Sequence, residues 1–307
     1  MNNKMEPNWQ LSRKRATLEK RARIIQQIRA FFIAQQFLEV ETPHRIPANA
    51  PELHIDAVAA ENWFLHTSPE LCMKRLLAAG YEKLFQICHC WRAGERGSKH
   101  LPEYTMLEWY HSHCDYLQLM SDCESLLLQL SSNRQIEWQG GIIDLSPPWP
   151  RMTIAEAFNK FSPIPLSEAL SSDQFDTIMA LEIEPKLPTH QPIFLTDYPV
   201  EHASLARKNP SDPQVAERFE LYIGGLELAN GFSELTDPQE QRQRFAAEEL
   251  QRRQYGKSPY PTPTPFLREL GTLPPSAGIA LGIDRLVMLL CDKNLIDAVI
   301  CFTPEQL

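Results

Sequence analysis

Two pairs of strand-like segments, each joined by a glycine-containing turn, confine this chain to a sheet built largely from antiparallel hairpins. The first pair is Leu84 to Trp91 and Tyr104 to His111, linked by the polar stretch Ala93-Gly94-Glu95-Arg96-Gly97-Ser98-Lys99. The second is Phe219 to Ile223 and Leu226 to Ala229, linked by Gly224-Gly225, a two-residue hairpin signal. Period-two alternation then puts Met106, Glu108 and Tyr110 on one strand face and Leu107 and Trp109 on the other. A carboxylate and a phenol opposite an indole and a leucine mark a site side and a core side.

Helical segments fall between groups of strands. Leu11 to Gln36 carries Ile24, Ile28 and Phe31 at helical spacing, and Ile25 and Phe32 widen the stripe. Phe37 to Thr42 alternates like a strand ended by Pro43, and Trp63 to His66 is a short strand. Ser68 reads as an N-cap, Pro69 as the first helical residue and Gly80 as the stop, so Pro69 to Ala79 is predicted helical with Glu70 in its first turn. Leu117 to Leu130 and Pro238 to Tyr255 are predicted helices. Ile279 to Ile283 is a strand that turns at Gly282 into a helix beginning near Asp284-Arg285. Residues 131–200, rich in Pro and Ser, show no readable order, and Tyr260 to Pro265 reads as a loop. The fold class is α+β, a mostly antiparallel sheet flanked by helices, rather than the strand–helix alternation of a dinucleotide fold. The expected division is a tail over residues 1–10 and one catalytic domain over 11–307.

Composition sets outer limits. Hydrophobic residues at 43% and charged residues at 22% describe a soluble globular protein. No stretch nears the roughly 18 apolar residues of a membrane span, and the first ten residues contain no signal-like apolar core. A cytoplasmic protein away from membranes is expected. A net charge of −9 argues against a broad nucleic-acid footprint. Locally, Arg13, Lys14, Arg15, Lys20, Arg21 and Arg23 crowd the first helix, as a solvated face or, less favoured, a dock for an acidic macromolecule. The seven cysteines are odd in number and irregular in spacing, so reduced thiols are expected. Cys88-His89-Cys90 and His111-Ser112-His113-Cys114 contain zinc-type ligands. Cys-x-Cys on a strand has less reach than the usual knuckle, which favours buried thiols beside solvated histidines.

Charge also sits where a strand pattern prefers none: Arg92 with Glu95, Lys99 and His100; Glu220, Glu227, Asn230 and Glu234; and Arg285 after Gly282. Arginines can fork onto phosphate oxygens and carboxylates can hold the Mg²⁺ that bridges them. Neither a phosphate loop nor a G-x-G-x-x-G fingerprint is present.

In this arrangement the chain resembles the class II aminoacyl-tRNA synthetases, and among them the lysine type. Phe37-x-x-Val40-x-x-Pro43 after a long helix is similar to their motif 1. Trp91-Arg92 through His100-x-Pro102-Glu103-Tyr104-Thr105-Met106-Leu107-Glu108-Trp109-Tyr110 is similar to motif 2, and Gly278 to Leu286 to motif 3. Glu217 to Glu220 and Gly225 to Leu235 resemble the lysine-type segment between them. The resemblance implies ATP and Mg²⁺ as cofactors and a homodimer built through motif 1. It implies that Arg92 and Arg285 hold ATP phosphates, with Glu95, His100, Glu227, Leu228 and Gly282 around the nucleotide and Glu220 and Glu227 on Mg²⁺. Ser68, Pro69 and Ala280 would border the amino-acid pocket. Glu70, Glu234 and Tyr110 would receive the substrate's ε-ammonium, Glu108 its other amino group and Asn230 its carboxylate. Strict alternation sets Glu227 and Asn230 on opposite faces, so a bulge or strand end is expected near Gly231.

The predicted first helix leaves no room ahead of motif 1 for an anticodon-binding domain. The remaining core is similar to the elongation factor P–lysine ligase family, which implies elongation factor P as acceptor and lysine or (R)-β-lysine as substrate, without anticodon recognition. Ser68 and Ala280 stand where the tRNA enzymes usually carry Ala and Gly, an added hydroxyl and methyl at the pocket. The alternative is a truncated relative that aminoacylates tRNA or another acceptor.

Overall fold

A computed structural model describes residues 9–203 and 205–307. The expected tail therefore lies mostly outside the described residues, and helix α1 (Trp9–Ala34) starts two residues earlier than the sequence predicts. Strand β1 (Leu38–Glu39) follows, shorter than expected because it only borders the main sheet, running parallel to its neighbour. Strands β2 (Arg45–Ile46), β3 (Ala59–Ala60) and β4 (Trp63–Leu65) form a small separate sheet. Helix α2 (Glu70–Ala78) begins where Ser68 Oγ accepts the Glu70 N–H at 3.0 Å. The predicted hairpin is β5 (Lys83–Trp91) and β6 (Glu103–Ser112).

After α3 (Tyr116–Leu130), the stretch that shows no order in the sequence proves structured. It forms the hairpin β7 (Gln135–Trp138) and β8 (Gly141–Asp144), strand β9 (Arg151–Thr153), and helices α4 (Ile154–Phe161), α5 (Leu166–Ser171) and α6 (Phe175–Ile178). Strands β10 (Ile193–Pro199), β11 (Lys208–Asn209), β12 (Asp212–Ile223) and β13 (Leu226–Ser233) come next. Helices α7 (Pro238–Gln254) and α8 (Thr264–Glu269), strand β14 (Ser276–Gly282) and helix α9 (Ile283–Leu290) complete the list. No helix among the described residues is long and apolar enough to cross a membrane.

The main sheet has nine strands in the order β1-β5-β6-β14-β13-β12-β10-β9, with β11 on β12. From β5 to β10 every pairing is antiparallel. Its inner face carries Phe85, Leu107, Trp109, Phe219, Leu221, Ile279 and Leu281 against α1, α3 and α9. Phe32 of α1 stacks on Phe85 at 5.0 Å, so the helix stripe read from sequence does meet the sheet. The opposite face carries Leu84 and Tyr110, packed under α2, α7 and α8. Gly224 is needed at its turn: its φ is +60°, and a Cβ there would lie 2.7 Å from the Trp138 ring.

The basic residues of α1 are partly committed inside the molecule. Lys14 donates to the Ile300 carbonyl, Lys20 to that of Leu290, and Arg21 pairs with Asp284 at 2.6 Å. Asp284 is 4% exposed on its side chain and also accepts the Thr105 N–H at 2.7 Å. Arg21 thus ties α1 to the strand-to-helix turn at Gly282. Arg21→Ala strands a buried carboxylate, and urea unfolding is expected to show a loss of about 3 kcal/mol, the lower end for a broken buried pair because Thr105 still donates. A loss under about 1 kcal/mol would mean that water replaces the guanidinium.

Candidate active site

The site is built on one row of residues that crosses the sheet. Register places Gln86 of β5, Glu108 of β6, Ala280 of β14, Asn230 of β13 and Glu220 of β12 side by side. Residues opposite one another across a ladder share a face, so the row is the floor of one site. Adjacent strands lie about 4.8 Å apart, so the backbones at Glu108 and Asn230 are about 10 Å apart with only the Ala280 methyl between them. Gly278, next on β14, has no room for a side chain. A Cβ would sit 2.2 Å from the Tyr110 ring and 2.6 Å from Glu234 Oε1.

The alternation problem between Glu227 and Asn230 is solved by a bulge, at a different place from the one expected. Leu221 pairs with Ala229 and Tyr222 with Glu227, so Leu228 is the extra residue and Gly231 stays in regular register opposite Phe219. Leu228 is 2% exposed and packs in the main core, so any nucleotide contact there falls to its backbone.

At the end where the amino acid is expected, Ser68 and Tyr110 both donate to Glu108, Ser68 Oγ to Oε1 at 2.5 Å and Tyr110 Oη to Oε2 at 2.8 Å. Tyr110 thus serves Glu108 rather than standing free beside Glu70 and Glu234. Those two carboxylates are bridged by Lys74, whose Nζ lies 2.6 Å from Glu70 Oε1 and 2.5 Å from Glu234 Oε2. Sequence reading missed Lys74, although Glu70-x-x-x-Lys74 is the i, i+4 spacing that brings such a pair together. Pro69 holds an αR conformation just ahead of the helix and directs Glu70 into this cluster. Glu52, also missed, joins it electrostatically with Arg92 and Glu70.

Burial, reinforced by Glu70, pushes the Glu108 carboxyl up to about 8. Burial pushes Glu234 to about 8 against the pull of Lys74, and Glu52 to about 7 against that of Arg92. Lys74 answers only Glu70 and Glu234, and Glu108 and Glu234 keep their protons at neutral pH until a cation arrives. These raised values mean the folded, ligand-free protein binds protons that the unfolded chain releases near 4.5. Their stabilising contribution is present below about pH 4.5 and is lost as pH rises through about 8. Thermal unfolding is therefore expected to show that a diammonium ligand raises Tm more at about pH 8 than at about pH 6. An equal rise at both would contradict proton release on binding.

At the end where the nucleotide is expected, Arg92 stands at the close of β5 with its guanidinium 5.3 Å from the Tyr104 ring centre. Its Nε is buried with no hydrogen-bond partner among the described residues, and its nearest carboxylate, Glu95, is 3.9 Å away. Burial works against its charge, but Tyr104, Glu52 and Glu95 together hold its pKa above the usual value. Arg285 lies in the first turn of α9 beyond Gly282. It donates to the Glu227 carbonyl at 2.7 Å and to Glu227 Oε2 at 3.2 Å, and its Nη2 lies 2.5 Å from His100 Nε2. Burial and Arg285 keep the His100 pKa below its ordinary value, so His100 is a neutral acceptor.

Glu220 accepts from Arg218 at 2.6 Å and Tyr222 at 2.7 Å, and Asn230 Oδ1 accepts from Arg218 Nε at 3.2 Å. Burial raises Glu220 above the usual carboxylate range, with Glu227 as a like-charge neighbour. Glu184, from the stretch that the sequence leaves unordered, is raised by burial and by the same two carboxylates. Hard oxygen donors of this kind suit Mg²⁺. Glu227 is 40% exposed on its side chain, so part of the set is open to a metal–nucleotide complex.

Comparison with known proteins gives the family. The family model of class II tRNA synthetases (D, K and N) matches residues 8–306. The chain belongs to the class II tRNA synthetases. Within that group it is 37% identical to elongation factor P–(R)-β-lysine ligase of Erwinia tasmaniensis and 39% identical to that of Salmonella gallinarum, each over 97% of this chain and 98% of the relative. It is 37% identical to lysine–tRNA ligase of Thiobacillus denitrificans over 94% of this chain, which spans 64% of that relative. The class II assignment fits the antiparallel sheet and the absence of a glycine-rich phosphate loop.

The zinc-type link between Cys88-His89-Cys90 and His111-Ser112-His113-Cys114, which the sequence disfavours, does not form. Cys88 pairs with Met106 in register while His111 pairs with Lys83, so the two groups sit at opposite ends of the hairpin. Cys88 and Cys90 are buried, as expected, and all seven cysteines are free.

Proposed function

We propose that this chain is an ATP-dependent, AMP-forming ligase that activates lysine or (R)-β-lysine and transfers it to a lysine side chain of elongation factor P. The observation that carries the substrate reading is the row Glu108–Ala280–Asn230 beside the Glu70–Lys74–Glu234 cluster. A substrate with two ammonium groups and one carboxylate fits it. One ammonium meets Glu108, the other Glu70 and Glu234, and the carboxylate meets the Asn230 amide. Buried carboxyls in excess of their internal cation call for such a ligand. The Ser68 hydroxyl and the Ala280 methyl narrow the pocket and favour a displaced amino group by a modest margin, on the order of 1–3 kcal/mol. The relatives that match at nearly full length carry the elongation factor P ligase name, which favours a protein acceptor over tRNA.

The chemistry needs no general base in its first half. The substrate carboxylate attacks the α-phosphorus, the bond to the β-phosphate oxygen breaks, and pyrophosphate leaves. Arg92 and Arg285 hold the phosphate oxygens and stabilise the charge that builds there. Glu220 and Glu227 would hold Mg²⁺, which would supply positive charge for the leaving pyrophosphate. In the second half the acceptor amine attacks the activated carbonyl, losing a proton as AMP departs. Seven free thiols suit a reducing cytoplasm. ATP–pyrophosphate exchange with lysine and (R)-β-lysine tests the first half, and exchange with neither would end the catalytic reading. Label passing from β-lysine to elongation factor P, and not to tRNA, supports the acceptor; label on tRNA alone would favour the truncated tRNA enzyme.

We also read the β1 edge as a homodimer contact. Ile33 and Leu38 are 59% and 49% exposed beside the sheet edge that the short β1 leaves open. Sedimentation of Leu38→Glu is expected to show monomer where the parent chain sediments as dimer; a parent monomer would remove the proposal.

A further inference from the structure

Beneath the amino-acid pocket, three soft donors meet. Cys88 and Cys90 project from the same face of β5, and His66 comes from the end of β4. The two Sγ atoms are 4.0 Å apart, and each lies 3.9 Å from His66 Nε2. The three atoms form a nearly equilateral triangle whose centre lies about 2.3 Å from each corner, the length of a zinc–thiolate bond. All three residues are buried, at 1% exposure for His66, 7% for Cys88 and 0% for Cys90. No other group of three possible metal ligands is as tightly gathered among the described residues.

The donors are held in place by the surrounding fold. The loop after His66 is fixed by Thr67 N–H to Asn49 Oδ1 at 2.9 Å, and Trp91 N–H donates to the His66 carbonyl at 3.0 Å. His66 itself packs against the rings of His44 and Trp91, which also meet each other. Met106 packs with the two cysteines, and Tyr104 and Ala280 pack against that cluster.

We propose that His66, Cys88 and Cys90 form a binding site for a thiophilic d¹⁰ cation of the zinc class, distinct from the nucleotide's magnesium site. Without the ion, His66 Nε2 donates to the His89 carbonyl at 2.7 Å. On uptake the imidazole proton moves to Nδ1, both thiols release their protons, and Nε2 and the two sulfurs bond the cation, giving a neutral site. Two thiolates and an imidazole select zinc over magnesium. A fourth oxygen, from water or the His89 carbonyl, completes a tetrahedral shell after the donors close in by a few tenths of an ångström. Because Ala280 packs against the cluster of Cys88, Cys90 and Met106 and Ser68 lies two residues past His66, the ion would pin the α2 entry loop to β5 directly under the substrate. The site stands whether or not the ligase reading holds.

Cobalt titration of the full chain provides the test. One equivalent of Co²⁺ is expected to give thiolate-to-cobalt charge-transfer bands of two-thiolate intensity and tetrahedral ligand-field bands, both abolished by Zn²⁺. Cys88→Ser and Cys90→Ser should each halve the charge-transfer intensity and weaken uptake at least tenfold. Cys301→Ser, at an exposed cysteine, should leave the spectrum unchanged. A parent protein that gives no thiolate bands overturns the proposal, whatever the variants do. Bands that survive in the Cys88→Ser/Cys90→Ser double variant overturn it as well, by placing the metal elsewhere.

Discussion

Arg92→Met is expected to lower ATP–pyrophosphate exchange by on the order of 10²–10³-fold while the protein stays folded. The reason is the unusual idleness of this guanidinium. Its Nε is buried without a partner among the described residues, and Glu95 is 3.9 Å away, beyond hydrogen-bond reach. The fold keeps the arginine charged and aimed without using it as a structural tie. Removing it breaks no close ion pair, and buried Glu52, which loses its opposing charge, can keep its proton instead, so the melting temperature should move by only a few degrees. Arg92→Lys should recover a small part of the rate, because an ammonium supplies charge but not the planar fork that grips two phosphate oxygens. Arg285 makes the opposite case. It already holds Glu227 and His100, so its loss would disturb the site as well as the chemistry, and the two effects would be mixed. An Arg92→Met enzyme with near-normal exchange would remove Arg92 from the phosphate path and leave that work to Arg285 alone.

The sheet was legible in the sequence wherever local chemistry and tertiary fate coincided. The β5–β6 alternation separates Leu107 and Trp109 from Glu108 and Tyr110, and the structure puts the first two in the core and the second two in the site. Gly224-Gly225 marked a turn because two residues with positive φ leave few other choices. Residues 131–200 were opaque because their elements are short and their apolar residues serve a satellite core, built of Phe158, Phe175, Ile193 and Tyr198 among others. One signal was there to be read: Thr153 and Glu156 form a reciprocal capping box that starts α4. Register lay beyond the sequence. That Glu108, Ala280 and Asn230 share one row depends on which strands are neighbours, and a bulge at Leu228 reverses the facing that strict alternation assigns. The metal-type cluster was half visible for the same reason. Cys88 and Cys90 were readable as a same-face pair, but the histidine that joins them is His66, more than twenty residues upstream, and not His111 or His113.

Lys74→Met is expected to destabilise the ligand-free protein by about 3–5 kcal/mol near pH 8, and by much less near pH 5. Lys74 is 2% exposed and bridges Glu70 and Glu234, the latter fully enclosed on its side chain. Burial alone would discharge this ammonium, and the two carboxylates reverse that, holding its pKa above the ordinary value. Without it, two buried carboxylates face each other with Glu108 nearby. They can escape the cost by taking up protons. Glu234, at about 8 even with Lys74 beside it, moves higher still when that cation is removed. A carboxyl with a raised folded-state pKa stabilises at low pH and loses that contribution as pH rises, so the variant's deficit should widen between about pH 5 and about pH 8. Urea unfolding at the two pH values reads the difference directly. The same variant bears on the substrate. With one internal cation gone, the pocket offers an extra site for an ammonium, and a diammonium ligand should recover more stability in Lys74→Met than in the parent. A deficit independent of pH would show that Glu234 stays ionised beside Glu70, and that solvent, rather than a bound amino acid, neutralises the pocket.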